Sequence, residues 1–221
     1  VVAYVDYRCA VFLTTKITNK GAGTTTDQNF NANNDAENTE FLSSLKADAD
    51  FYKNELVKIV LPGELQKVDQ TLRSFGMSNL ADQGLLVLNR AAEDAAGGIA
   101  TVFISAIKQM TVTDGLKILK GGDFAATDYL KTTTTITLTE KMRPTIETSL
   151  AKVNATGYWK DVFTTYNKLS FSKTTINTDL AAYVTERALM GIFITIGQEE
   201  QKIRKDPAAQ VTSLLKKVFG K

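Results

Sequence analysis

Histidine is absent from this chain of 221 residues. Imidazole is the usual general base near neutral pH and the commonest metal ligand in proteins. The sequence therefore excludes catalysis of the Ser-His-Asp and Cys-His types.

Cysteine is almost absent as well. Cys9 is the only one, so the chain cannot form an intramolecular disulfide or a zinc site of several cysteines. A buried, unreactive thiol is the ordinary state of a lone cysteine, and a reactive or intermolecular thiol is the alternative.

No phosphate-loop lysine follows the glycine pair at 121–122, so nucleotide binding is unsupported. We expect no cofactor and no metal.

Long hydrophobic runs are also missing. A helix that spans a bilayer needs about 18–20 apolar residues, whereas the apolar stretch 188–197 has ten. We therefore expect a buried helix there and no transmembrane segment. Peripheral association with a cell envelope is compatible with this expectation. The first residues do not have the charged and then apolar stretch that is typical of an export signal. Because the sequence is compatible with a processed or trimmed product, its start does not predict whether the protein is exported.

The charge balance is nearly neutral, with 26 basic and 24 acidic residues. No overall field would steer such a chain to nucleic acid or anionic lipid. The basic side chains near the C-terminus lack interleaved aromatic residues, so nucleic acid is not an expected partner. The hydrophobic content of 43% is typical of a globular domain with a core.

The pattern of apolar residues predicts an all-α fold, a single domain of about nine helices. Residues 1–20 favour a strand or hairpin, and residues up to 36 read as a polar linker. The helical domain is therefore placed at 37–221 and the N-terminal extension at 1–36. Breakers and apolar spacing predict helices over 41–57, 62–75, 78–96, 99–110, 114–120, 144–153, 158–169, 177–206 and 207–219.

One further segment, 124–142, is ambiguous between helix and strand. Its start has helical spacing, but the run 132–139 is rich in β-branched residues. We expect a helix end or kink at Arg143, because Pro144 follows it.

Ordered blocks of the sequence resemble DUF4197, a family of uncharacterised bacterial proteins. The blocks are LPGELQKV at 61–68, NRAAE at 89–93, AIKQM at 106–110, GGD at 121–123, AAT at 125–127, Tyr129, YVT at 183–185, IRKDPAA at 203–209 and LLKKVFG at 214–220. The resemblance implies a helical domain made with an export signal, and so a place in the periplasm or cell envelope. It implies no known activity.

Three polar groups are candidates for function. Asn89, Arg90, Glu93 and Asp94 read as a structural ion pair on a partly exposed helix face, or as a polar patch facing a cleft. The glycine pair before Asp123 precedes a helix start that could hold an anion, but Asp123 would repel one, so we expect Asp123 to cap that helix.

The third group is the charged run 199–206, in which Glu200 and Arg204 have favourable i, i+4 spacing. A solvated helix face is the expected interpretation, and a docking surface is the alternative.

These features lead us to expect a non-enzymatic envelope protein that binds a protein partner or apolar ligand, or has a structural role. The alternative is a carboxylate-based hydrolase or an enzyme dependent on a divalent cation. Its available acids would be Glu93, Asp123, Asp128 and Glu140. The candidate ligand-binding residues are Asn89, Arg90, Glu93, Asp123, Thr127, Tyr129, Tyr183 and Arg204.

Overall fold

The structure is a computed structural model that describes residues 51–76, 78–157, 160, 179–209 and 216. This part of the chain contains six α-helices and no strand, which confirms the all-α class but not the count of about nine. The β-like extension, the polar linker, the helix at 158–169 and most of the final helix lie outside the described residues. The helices are α1 (Gly63–Ser74), α2 (Ser78–Ala96), α3 (Ala100–Gln109), α4 (Val112–Lys120), α5 (Ala125–Ala151) and α6 (Leu180–Lys205), followed by a 3-10 turn, Pro207–Ala209.

Several helix ends follow the predicted breakers. Gly76 follows α1 with a φ of 77°, a left-handed conformation that glycine adopts without strain. Thr111 and Asp114 form the predicted capping box of α4, because each side chain accepts the other's backbone N–H at 3.1 Å. Asp206 accepts the N–H of Ala208 at 2.9 Å and so begins the 3-10 turn.

The ambiguous threonine segment is helical. The hydroxyls of Thr132–Thr135 each donate to the carbonyl four residues earlier, over 2.5–2.8 Å. Low helix propensity costs at most about 0.7 kcal/mol per residue, and the burial of one face outweighs that cost. The helix also continues through Pro144 to Ala151. Of the end or kink expected at Arg143, the end is therefore wrong, and so is the separate helix predicted over 144–153.

Buried residues of α5 recur every four positions. Leu130, Thr134, Leu138, Met142, Ile146 and Leu150 are each at most 1% exposed. Four residues turn an α-helix about 40° past a full rotation, so the buried face moves around α5 along its length.

The chain divides into two compact units. Unit 1 contains Ile99–Thr137 and the described residues from Phe193 onward, and unit 2 contains those from 51 to Gly98 together with those of Leu138–Ile192. Each unit thus receives part of α5 and part of α6. In unit 1, the rings of Phe103 and Phe193 meet edge to face with centroids 6.2 Å apart.

The segment 51–62 lies in unit 2 as turns and extended chain, so the helix predicted over 41–57 is wrong in its described part. Side chains from elsewhere bind its backbone. The amide of Asn89 accepts the Ile59 N–H at 2.8 Å and donates to the Ile59 carbonyl at 2.9 Å. The Tyr183 hydroxyl donates to the Val60 carbonyl at 2.6 Å. These bonds replace those that a helix would make.

Helix α6 is the one helix of the described residues that is long and apolar enough to cross a membrane, with a mean hydropathy of 1.3 over its best 18-residue window. The uninterrupted apolar run is shorter, which is why the sequence predicted no such segment. Of that window, 56% is buried inside the protein. A buried core helix meets the same criterion, so length and composition do not place α6 in a membrane.

Candidate functional site

The best-organised polar cluster of unit 1 surrounds Glu200, whose residue is 1% exposed. Its Oε1 accepts the N–H of Ala126 at 2.8 Å. Its Oε2 accepts the N–H of Thr127 at 2.8 Å and the Thr127 hydroxyl at 2.7 Å. A helix N-terminus favours an anion because its first N–H groups are unpaired. The N-terminus of α5 therefore does hold an anion, and α6 supplies it.

Arg204 completes this cluster. Its Nε donates to Oε1 of Glu200 at 2.9 Å, and its second guanidinium nitrogen donates to the Ile118 carbonyl at 2.9 Å. The Arg204 side chain is 10% exposed. The solvated helix face expected for Glu200 and Arg204 is therefore wrong, since both side chains lie against α4 and α5.

A sequence signal for this burial exists. Phe193, Ile196 and Ile203 are buried, and Glu200 stands between them at the same spacing of three and four residues. A carboxylate on an apolar stripe is expected to find a partner inside the protein. The signal was hidden because Glu200 also belongs to a run of charged residues.

Asp123 does not cap α5, so that prediction is wrong. Its carboxylate instead accepts a hydrogen bond from Nε2 of Gln201 at 3.0 Å and pairs with the ammonium of Lys205. Lys205 and then Gln201 hold the pKa of Asp123 below its usual range. Tyr129, a turn further along α5, donates its hydroxyl to the Ala106 carbonyl at 3.1 Å.

In unit 2, Asn89 lies in the core and is 0% exposed. Besides its two bonds to Ile59, it donates to the Leu85 carbonyl at 2.7 Å. With Tyr183, it ties the segment 51–62 to α2 and α6. Asn89 is therefore not part of a polar patch that faces a cleft, because its amide is buried and its hydrogen bonds join the segment 51–62 to α2.

The neighbouring charges on α2 are also engaged. Arg90 and Glu93 form the predicted ion pair at 2.5 Å, and the second oxygen of Glu93 accepts the Tyr52 N–H at 3.3 Å. Asp94 accepts the hydroxyl of Ser149 at 2.7 Å. Arg90 itself is exposed, so its ion pair adds little stability.

An open cleft of about 510 Å³ in unit 2 has Arg143, Glu147, Lys160 and Asp179 in its walls. Arg143 donates to Glu147 at 2.7 Å and to Asp179 at 2.5 Å, and these two carboxylates raise its pKa. Because both acids pair with the same guanidinium, they are poor candidates for proton transfer.

Asp179 also caps α6, since its Oδ1 accepts the Ala182 N–H at 2.9 Å. Burial alone would raise the pKa of Asp179, but the hydrogen bonds from Ala182 and Arg143 lower it below its usual range. The start predicted for this helix, at residue 177, lies outside the described residues.

Arg187 of α6 is a residue that the sequence reasoning missed. Its Nε is buried and has no hydrogen-bond partner among the described residues. Its guanidinium carbon lies 5.3 Å from the centre of the Tyr183 ring, and one terminal nitrogen lies 3.9 Å from the Met190 sulfur. No sequence signal marked Arg187, because its isolation depends on the surrounding fold.

The acids of the described residues do not assemble a metal site. No group of three Asp, Glu or Cys side chains converges in that part of the chain. Glu93 and Asp123 each face a basic side chain instead.

Comparison with known proteins gives one result. A family model described as "Protein of unknown function (DUF4197)" matches residues 36–220. No curated protein and no solved structure matches the chain. The match covers nearly the whole sequence, and the chain belongs to DUF4197.

Proposed function

We propose that this protein is a non-enzymatic helical domain that acts by binding another molecule. The observation that carries the proposal is the use of its polar side chains. Asn89, Thr127, Tyr129 and Arg204 are engaged in bonds that hold one helix or segment to another. An enzyme of this composition would instead need acids positioned for proton transfer or for a cation.

Exposed apolar side chains support a binding role. Phe75 is 73% exposed, Leu56 is 67% exposed, and Val60 and Met190 are each 48% exposed. Leu56 and Val60 belong to the segment 51–62, which packs against α6, the helix that carries Met190. Large exposed apolar side chains on adjoining elements commonly mark sites for partners. A protein partner is the occupant that we favour.

The envelope is the proposed location, on the strength of the family resemblance. Antibody detection after fractionation of the source cells should place the protein in the periplasmic or envelope fraction. Recovery in the cytosolic fraction alone would contradict this location.

Two measurements on the full chain test the binding role. A photo-reactive amino acid at Leu56 should give a defined crosslinked partner in the source envelope fraction, while the same substitution at exposed Thr133 of α5 should give none. The carboxylate alternative predicts instead that millimolar Mg²⁺ or Ca²⁺ raises the melting temperature, since a ligand stabilises the state that binds it. Reproducible recovery of this protein alone would count against binding.

A further inference from the structure

The isolated guanidinium of Arg187 is the feature that the contacts described above leave unexplained. Among the described residues, the guanidinium contacts an aromatic ring and a thioether sulfur. Glu55, an acid on the segment 51–62, pairs with Lys58 at 3.1 Å. A buried N–H without an acceptor lowers the stability of the folded state. The Nε itself is closed to solvent, so a carboxylate supplied from outside would pair with the terminal nitrogens, one of which makes its contact with Met190 at the exposed surface.

The surroundings of Arg187 are placed by two contacts on either side of it. Tyr183, four residues before, bonds to the Val60 carbonyl. Gly191, four residues after, lies against the segment so closely that an added Cβ would come within 2.8 Å of the Phe51 ring. Residues four apart share one face of a helix, so Arg187 lies on the face of α6 along which the segment runs.

Exposed aliphatic residues belong to the two elements that meet here. Met190 follows Arg187 on α6, and Leu56 and Val60 belong to the adjoining segment. Each of the three is about half exposed or more, between 48% and 67%. We call these four residues the Arg187 face. It combines open apolar surface with one cation that has no acidic partner in the part of the chain that the structure describes.

We infer that the Arg187 face binds a peptide segment of a partner protein that carries a carboxylate beside aliphatic side chains. This inference rests on the proposed binding function and names the site and the chemistry of the occupant. Charge complementarity requires the carboxylate, since guanidinium and carboxylate form paired, charge-assisted hydrogen bonds. The open surface selects a peptide, because a fatty-acid chain is bound in pockets that enclose most of it.

The test uses the full chain as bait to select binders from a displayed library of random dodecapeptides. We expect enriched peptides to share an Asp or Glu, or a free C-terminus, next to Leu, Ile or Val. For one such peptide, Arg187→Met should weaken binding by about 10- to 100-fold, which corresponds to one hydrogen-bonded charge pair. Lys152→Met removes a charge from an exposed position of the same unit and should leave the affinity unchanged.

The melting temperature of the free protein distinguishes an arginine that binds a partner from one that only supports the fold. Because the buried Nε of Arg187 has no acceptor among the described residues, Arg187→Met should keep or raise the melting temperature of the free protein. A large fall would show that Arg187 supports the fold, and it would overturn the inference.

Other outcomes also overturn it. Enriched peptides without an acid, or peptides that bind Arg187→Met as tightly as the original chain, refute the Arg187 face and leave the binding function standing. Binding of laurate at micromolar concentration without any peptide enrichment refutes the peptide occupant. The absence of both an enriched peptide and a crosslinked partner removes the inference and the proposed function together.

Discussion

Replacement of Glu200 by alanine should be among the most damaging single changes in unit 1. The carboxylate accepts two backbone N–H groups and the Thr127 hydroxyl, and it pairs with Arg204. The variant leaves these donors without an acceptor and leaves a guanidinium that is 10% exposed without its counter-charge. Breaking a buried pair by removing one partner costs about 3–5 kcal/mol.

That loss is large against a total stability of about 5–15 kcal/mol. For a chain of this size it corresponds to a melting temperature lower by about 6–20 °C. Urea denaturation followed by circular dichroism measures the free energy of unfolding directly, and an unchanged slope with urea would show that the compactness of both states is kept.

Two matched variants make the experiment decisive. Glu199→Ala removes the adjacent acid, whose side chain is 38% exposed and pairs with Lys202, and should cost less than about 0.5 kcal/mol. The double variant Glu200→Ala with Arg204→Met removes both charges, and should recover about 1–3 kcal/mol relative to additive losses. A loss below about 1 kcal/mol for Glu200→Ala, or additive behaviour of the pair, would refute the reasoning.

Three further predictions concern unit 2. Asn89→Ala should lower the free energy of unfolding by about 2–4 kcal/mol and expose the segment 51–62 to limited proteolysis, because buried backbone groups lose their partners, whereas Asn79→Ala on the exposed side of the same helix should change neither. Because the pKa of Asp179 is lowered, its contribution to stability is complete above the ordinary value of 3.8 and is lost as pH falls through the lowered value. Asp179→Asn should therefore flatten the acid side of a plot of unfolding free energy against pH, and an unchanged acid side would contradict this. Gly191→Ala should lower the free energy of unfolding by about 1–3 kcal/mol, because its Cβ would meet a ring carbon of Phe51 at 2.8 Å. Gly84→Ala, where nothing lies within 4 Å, should raise it by about 0.5–1 kcal/mol. Thermal melts that rank these two variants the other way would contradict the packing described.

Local signals in the sequence predict the local structure well. Gly76, the Thr111 capping box and Asp206 act as breakers or caps within a few residues of themselves, so their chemistry can be read from the chain. The failures are non-local. Residues 51–57 have helical apolar spacing. The adjoining Ile59, however, gives its backbone N–H and carbonyl to Asn89, thirty positions along the chain, and not to a helix.

The candidate site shows the same limit. The cap of α5 comes from Glu200, 74 and 73 positions away from the N–H groups that it binds, whereas the sequence offered Asp123 two residues before the helix. Only the apolar stripe on either side of Glu200 indicated that this acid points inward. Arg187 left no such trace, because an arginine without a partner looks in sequence like any other surface charge.

Neither unit is encoded by a continuous stretch of chain, since α5 leaves unit 1 at Thr137 and α6 re-enters it at Phe193. A nascent chain that has emerged only as far as residue 151 therefore has both cores half built. Completion waits for the synthesis of α6, which brings Glu200 to one unit and Tyr183 to the other. Folding on the ribosome is thus expected late in both units, and the growing chain stays open to chaperones until then.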